Sequence, residues 1–263
     1  MTQLNSKLPL GIQDFEEMRR DHYIYADKTD MVWKLANGTK YNYLSRPRRF
    51  GKSLLCSTLK CYFEGRKELF EGLKIMELES EWVKRPVIYF SMSLGGSSAQ
   101  TLTEYLNNVL SSYEKIYGRN PDEQSLGNRL NGIIQRAYEQ AGVQIAIIVD
   151  EYDVPLQHTY ETNHHDACRQ ISLFSMLNTL TNVSFSNEYA TICGLTKDEI
   201  QFYFSEQLSE LADNYAITKS TLMDTMSSIY DGYHFSRGLI GVYNPFSVCN
   251  ALANLRLNSY WIA

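Results

Sequence analysis

An uninterrupted apolar run that ends in two carboxylates restricts the folds open to this sequence. Residues 145–149 read IAIIV and are followed directly by Asp150 and Glu151. A run of this kind predicts a strand buried on both faces, which is typical of a parallel sheet. YNYL at 41–44 and RPVIYFSM at 85–92 predict further strands. Because helical patterns separate these strands, we expect an α/β protein with a parallel sheet flanked by helices.

Helical patterns occupy the intervals between the predicted strands and the part of the chain that follows them. The 263 residues, 44% of them hydrophobic, are enough to bury a core around such a sheet. The segment before residue 28 is expected to be an extended entry. The spacing of apolar residues predicts helices over 28–36, 53–64, 101–117, 126–141, 198–216 and 218–235, the last with a turn at Asp231-Gly232.

The segment between the first predicted strand and its helix reads SRPRRFGKSLL at 45–55. It ends as a phosphate-binding loop does, with Gly51-Lys52-Ser53 before a helix, although Arg46 stands where the G-x-x-x-x-G-K-[ST] pattern has its first glycine. Free N–H groups and the helix dipole favour an anion at a helix N-terminus. The predicted nucleotide contacts are Arg46, Pro47, Arg48, Arg49, Phe50, Gly51, Lys52, Ser53 and Leu54.

The polar side chains of the two motifs have roles in ATP hydrolysis that fit their chemistry. Lys52 would neutralise the β- and γ-phosphates, and Ser53 would ligate Mg²⁺. Asp150, at the end of its strand, would hold the same ion directly or through water. Glu151 would orient and deprotonate the attacking water. The predicted catalytic residues are therefore Lys52 and Glu151, the predicted metal ligands are Ser53 and Asp150, and the predicted cofactors are ATP and Mg²⁺.

Less specific interpretations of the same residues remain open. Asp150 and Glu151 can be a solvated strand end, and Arg46, Arg48 and Arg49 can be a surface cluster. The same arginines also allow contact with the phosphates of a nucleic acid. The formal net charge of −5 excludes a generally basic surface, so such contact would be confined to a patch.

Composition and termini predict a cytoplasmic protein that is not inserted in a membrane. The N-terminus lacks the apolar core of a signal peptide, and the run at 145–149 is far too short to span a bilayer. The cysteines show no CxxC pair, which is typical of a reducing compartment rather than a disulfide framework. They are Cys56, Cys61, Cys168, Cys193 and Cys249.

Five segments together resemble the AAA-ATPase-like family of bacterial proteins. They read GIQDFEEMRRDHYIYADKTDMVWKL, YNYLSRPRRFGKSLLCSTLKCYFEG, IAIIVDEYDVPL, FSMLNTLTNVSFSNEYATICGLTKDEI and YDGYHFSRGLIGVYNPFSVCNAL. In that family the loop itself is written RPRRFGKS. The resemblance implies a P-loop NTPase core over residues 1–196 and a helical lid subdomain over 197–263. The family usually continues into a restriction-endonuclease-like domain, so the resemblance also implies a nuclease-like partner, and the chain is expected to stop before that domain.

The chain departs from the family's pattern after DEYD-x-PL. There the family has a long helix and a strand ending near Gly-Val-Thr-Lys-Phe, whereas this chain passes from VPLQHTYETNHHDACRQ into ISLFSMLNTL. We expect a deletion near Gln170-Ile171 and the loss of a strand whose tip senses the γ-phosphate. Residues 191–197 are the only later run that could fill the gap, with Thr196 or Lys197 as the sensor, but in the family this run precedes a helix elsewhere. Three functions therefore stay open: an ATPase, a switch that binds ATP without turnover, and a nucleic-acid-binding module.

Overall fold

A computed structural model describes residues 7–95, 98–152, 180–230, 232–238 and 240–260. The chain forms two compact units, the first made of residues 1–59, 68–80 and 180–263 and the second of residues 60–67 and 81–179. Gln170 and Ile171, where we expect a deletion, lie outside the described residues, as does Asp231. Residues on both sides of position 196 belong to the first unit, and the division into core and lid at that position stays a prediction.

Helices and strands alternate along the chain, as expected for an α/β protein. Within the described residues no helix combines the length and the apolar composition needed to cross a bilayer. In chain order the elements are α1 (Phe15–Arg20), α2 (Thr29–Asn37), β1 (Asn42–Tyr43), α3 (Lys52–Phe63), β2 (Val87–Ser91), α4 (Ala99–Tyr117), α5 (Leu126–Ala141), β3 (Ala146–Asp150), β4 (Thr181–Asn182), α6 (Lys197–Tyr203), α7 (Ser205–Asn214), α8 (Lys219–Tyr230), β5 (Tyr233–His234), β6 (Gly241–Val242) and α9 (Pro245–Ala253).

The strand that precedes the loop has a parallel neighbour in the first unit. Strand β4 pairs with β1, and the backbone N–H groups of Thr181 and Val183 donate to Tyr41 and Tyr43 at 2.8 and 3.0 Å. Residues 191–197, which could fill the place of the missing strand, contain no strand, and Leu195 makes only an isolated bridge to Tyr243. Thr196 instead caps the N-terminus of α6, where its side chain accepts a hydrogen bond from the N–H of Glu199.

Two further expectations for the first unit were wrong. The segment before residue 28 contains α1, whose N-cap Asp14 accepts from the N–H of Glu17 at 2.9 Å. A helix of six residues has too few turns to show apolar periodicity. The predicted helix over 218–235 ends at Tyr230, because residues 233–234 pair with β6 in an antiparallel hairpin.

Two of the apolar clusters in the described part of the chain lie in the first unit. One lies among helices α6 to α9 and includes Phe204, Leu211 and Met226. The other carries the loop, since Phe50 and Leu55 pack there with buried side chains from α2, β6 and residues 183–193. The loop is therefore attached to a core on its inner side.

The second unit contains the other parallel pair. Strands β2 and β3 are in register from Val87 opposite Ala146 to Ser91 opposite Asp150. Helices α4 and α5 enclose an apolar cluster against them, which confirms the strand–helix–helix–strand order expected from the sequence. The prediction that β3 is buried on both faces was wrong, because Ile147 is 37% exposed.

Candidate functional site

The loop lies between a strand and a helix, as the sequence predicts. Strand β1 ends at Tyr43, and α3 begins at Lys52, whose preceding residue Gly51 accepts a hydrogen bond from the N–H of Leu55 at 3.0 Å. Gly51 has a φ of +87°, and no heavy atom lies within 4 Å of the place where its Cβ would be. A side chain at this φ is strained, so glycine is required and the backbone stays accessible. The backbone is therefore open to a ligand where the helix begins.

The ammonium group of Lys52 folds back over the loop. Its Nζ donates to the carbonyl oxygens of Arg46 at 2.7 Å and Pro47 at 3.1 Å. An ammonium has three donors on a flexible stem, so these bonds can be exchanged for bonds to phosphate oxygens. The first turn of α3 contains no acidic side chain to oppose an anion. These residues fit the phosphates of a nucleotide.

Arg46 differs from the other two arginines of the loop because its side chain is buried. Arg46 is 5% exposed, and its guanidinium donates to backbone carbonyl oxygens of Ser45, Ser184 and Tyr189 at 2.7–2.8 Å. The guanidinium carbon also lies 4.2 Å from the ring centre of Phe235. Burial lowers the pKa of Arg46 from its ordinary value. The three arginines therefore do not form one surface cluster.

Arg48 and Arg49 are both exposed. Arg49 has a φ of +66°, and its guanidinium lies 4.2 Å from the ring centre of Phe246 and 3.3 Å from the carbonyl oxygen of Tyr260. Two positive charges thus lie on the outer side of the loop.

The residue between these arginines and Gly51 attaches the loop to the core. Phe50 is 1% exposed, and its ring meets those of Tyr233 and Phe235 edge-on at 4.7 and 5.5 Å. Its carbonyl accepts from the N–H of Gly194 at 3.1 Å. Gly194 has a φ of +92°, and a Cβ there would lie 3.2 Å from the Phe50 ring. The close approach therefore requires glycine at 194.

The two carboxylates that follow β3 differ in burial. Asp150 is 5% exposed, and the hydroxyl of Tyr89 donates to its Oδ2 at 3.3 Å. This burial does not fit a solvated strand end. Glu151 is partly exposed and has a φ of +53°. A left-handed backbone is unfavourable for a non-glycine residue, and such strain is found preferentially at functional sites.

The residues that hold Arg46 were not found by sequence reasoning. Ser184 is buried, and its hydroxyl accepts from the N–H of Ser45 at 2.8 Å in addition to the Arg46 contact through its carbonyl. Tyr189 and Phe235 complete the set. Two of the three contribute through backbone carbonyls, which any residue type supplies, so the sequence carries no signal for them.

The described part of the chain contains no group of three or more His, Cys, Asp or Glu side chains that could hold a metal ion. A nucleotide-bound Mg²⁺ takes most of its ligands from phosphate and water and needs only one or two from the protein. Ser53 and Asp150 as metal ligands, and Lys52 and Glu151 as catalytic residues, stay predictions.

The comparisons with known proteins concern most of the chain. A family model, AAA-ATPase-like, described as "Predicted AAA-ATPase", matches residues 9–197. The curated "Uncharacterized protein in vnfD 5'region" of Azotobacter chroococcum mcd 1 is 30% identical over 290 residues, covering 97% of this chain and 53% of the relative. The chain therefore spans about half the length of that relative. No solved structure matches the chain.

Proposed function

The chain belongs to the AAA-ATPase-like family, and from that premise we propose that it is an ATP-binding module whose phosphate site is the loop between β1 and α3. The observation that carries this proposal is the position of Lys52. Its ammonium is held on the loop by two carbonyl oxygens, beside the open backbone of Gly51 and the start of a helix. A cation whose carbonyl bonds can be exchanged for phosphate oxygens, next to the N-terminus of a helix, suits a phosphate chain.

In this proposal different residues of the loop contact different parts of the phosphate chain. Lys52 exchanges the carbonyls of Arg46 and Pro47 for β- and γ-phosphate oxygens. Backbone N–H groups around Gly51 cradle the phosphates, with Phe50 and Leu54 as the flanking residues of the cradle. The exposed charges of Arg48 and Arg49 add attraction from the outer side of the loop.

We further propose that the module hydrolyses ATP to ADP. Bound Mg²⁺ would neutralise negative charge on the phosphates. Ser53 and Asp150 would hold it, and Glu151 would orient the attacking water and accept its proton. The buried state of Asp150 and the left-handed backbone of Glu151 support functional rather than solvated carboxylates.

The architecture we propose is a P-loop core with a C-terminal helical lid, in a protein linked to a nuclease. The parallel pairs β1–β4 and β2–β3 support the core, and the cluster among α6 to α9 supports the lid. The alignment to the Azotobacter relative is longer than this chain, so the relative has residues that this chain lacks. This supports a deletion, which we propose lies near Gln170.

The switch without turnover rests on the loss of the strand whose tip senses the γ-phosphate, and a measurement of phosphate release distinguishes it from the ATPase. The nucleic-acid patch rests on three arginines, of which Arg46 is buried while Arg48 and Arg49 are exposed.

Thermal unfolding with and without nucleotide tests the binding proposal. Mg-ATP at about 100 times its dissociation constant is expected to stabilise the protein by about 2.7 kcal/mol. Lys52→Ala should abolish this stabilisation. The matched control is Lys60→Ala, which removes a partly exposed lysine of the same helix whose Nζ lies 4.0 Å from Glu64 Oε1. An equal shift in both variants would exclude Lys52 from the site.

A further inference from the structure

The most unusual group near the loop is the buried guanidinium of Arg46. Burying a cation is costly unless it is hydrogen-bonded. Here its contacts are three backbone carbonyl oxygens and the face of an aromatic ring. An arginine suits this place because its planar fork can donate in several fixed directions at once and also stack on a ring. A lysine offers neither the fork nor the stacking surface.

The contacts of Arg46 come from separate segments of the first unit. Ser184 lies two residues after β4, Tyr189 ends a short 3-10 turn, and Phe235 directly follows β5. The loop is fastened to the first of these segments twice, because the N–H of Ser45 also donates to the Ser184 hydroxyl at 2.8 Å. The side chain of Arg46 therefore ties one point of the loop to three places in the core.

The backbone of the same residue also supplies one of the two acceptors of the Lys52 ammonium. The shorter hydrogen bond of that ammonium, at 2.7 Å, is to the carbonyl oxygen of Arg46 itself. Movement of the backbone at residue 46 would therefore move the carbonyl oxygen to which the Lys52 ammonium donates. The ring of Pro47, the next residue in the chain, fixes its own φ angle, so the backbone after Arg46 has less freedom to move independently of it.

We propose that Arg46 is a positioning residue of the nucleotide site, which fixes the loop to the 184–189 segment and to Phe235 so that Lys52 and the Gly51–Ser53 backbone are held ready for phosphates. A glycine at this place gives a phosphate loop its conformational freedom. This loop is instead held in one shape by tethers. The inference rests on the proposed function for its nucleotide part and on the contacts of Arg46 for its tethering part.

Nucleotide affinity tests the inference at the site. Arg46→Gly restores the common glycine but removes the tethers, and it should weaken binding of Mg-ATP, followed with a fluorescent ATP analogue. Arg46→Lys keeps the charge and should weaken binding by about tenfold or more, as for the loss of hydrogen bonds to a charged group. Arg20→Lys, at an exposed arginine of α1, is the matched control and should bind as the wild type does. Wild-type affinity in Arg46→Gly would overturn the inference.

Hydrogen exchange of the nucleotide-free protein tests the tethers without ATP. In Arg46→Lys the amides of residues 48–53 should exchange about tenfold faster, while those of α9 exchange as in the wild type. Phe235→Leu keeps the carbonyl contacts and removes the ring, so it should give a smaller change in the same direction; it decides the matter if Arg46→Lys does not fold. Unchanged loop exchange would overturn the inference. If the wild type binds no ATP while the variants exchange faster, the proposed function fails and the tethering stands.

Discussion

At the scale of single residues, two cationic side chains six positions apart in the loop differ in burial and in the role we propose for them. Arg46 is buried and its guanidinium is committed to carbonyl oxygens, whereas the Lys52 ammonium is partly buried and rests on carbonyls that a phosphate can replace. The difference follows from their chemistry, since guanidinium is a rigid fork and ammonium is a mobile point charge. The loop thus contains one cation that holds its shape and one that can move to a ligand.

The exposed arginines of the loop give the first prediction. Replacing both Arg48 and Arg49 with Gln should weaken Mg-ATP binding, measured by titration calorimetry. Each positive charge is expected to contribute about 1 kcal/mol of binding free energy, so the dissociation constant should rise roughly fivefold for each arginine replaced. The stability of the unliganded protein should change little, because exposed charges contribute little to folding. Arg20→Gln in α1 is the control and should change neither quantity. Equal affinity in the double variant would return both arginines to a surface role.

Glu151 gives the second prediction. Glu151→Gln keeps the shape of the side chain but removes the base, so phosphate release should fall by roughly 10²- to 10⁴-fold while ATP affinity is retained. Glu188→Gln, at an exposed glutamate, is the control and should release phosphate as the wild type does. If the unmodified protein binds ATP but releases no phosphate above a sample without enzyme, the chain is a switch rather than an ATPase.

At the scale of elements, one buried ion pair joins the starts of two helices in the first unit. The Nζ of Lys28, the N-cap of α2, lies 2.5 Å from Glu199 Oε1. Glu199 also accepts from the N–H of Thr196 at 2.9 Å and so completes the capping box of α6. Burial lowers the pKa of Lys28, and the neighbouring carboxylate of Glu199 opposes that shift.

The third prediction follows from this pair. Glu199→Ala leaves the Lys28 ammonium buried without its partner and removes a helix cap, so the free energy of unfolding should fall by about 3–5 kcal/mol in a denaturant titration. Lys197→Ala is the control. It removes an exposed lysine of the same helix, paired with Asp224 at 3.4 Å, and should cost less than about 1 kcal/mol. A similar loss in both variants would contradict the special role of the buried pair.

Elements with local signals could be predicted from the sequence, and elements that depend on distant residues could not. The prediction of α5 over 126–141 was confirmed because Ser125 caps its start and Gly142 its end. Strand β4 was missed because its two residues are strand only through their pairing with β1. At the site the loop between a strand and a helix was predicted correctly, but the burial of Arg46 depends on carbonyls more than 130 residues away.

At the scale of the whole molecule, the alignment with the curated relative covers 97% of this chain but only 53% of the relative. The activity of a longer protein can therefore depend on parts that this chain does not contain. Restoring a family-like segment between Gln170 and Ile171 should raise phosphate release if a missing segment limits turnover. A rise that also occurs with an unrelated insert of equal length would contradict that explanation.

The proposed function requires ATP phosphates to bind where β1 leads into α3. A crystal structure with Mg²⁺ and a non-hydrolysable ATP analogue would locate them. We expect phosphate oxygens within about 3 Å of the backbone nitrogens of residues 51–53, with Lys52 Nζ moved from the Arg46 carbonyl to a phosphate and Arg46 still bound to Ser184 and Tyr189. An analogue bound elsewhere, with Lys52 still on the carbonyls of Arg46 and Pro47, would contradict it.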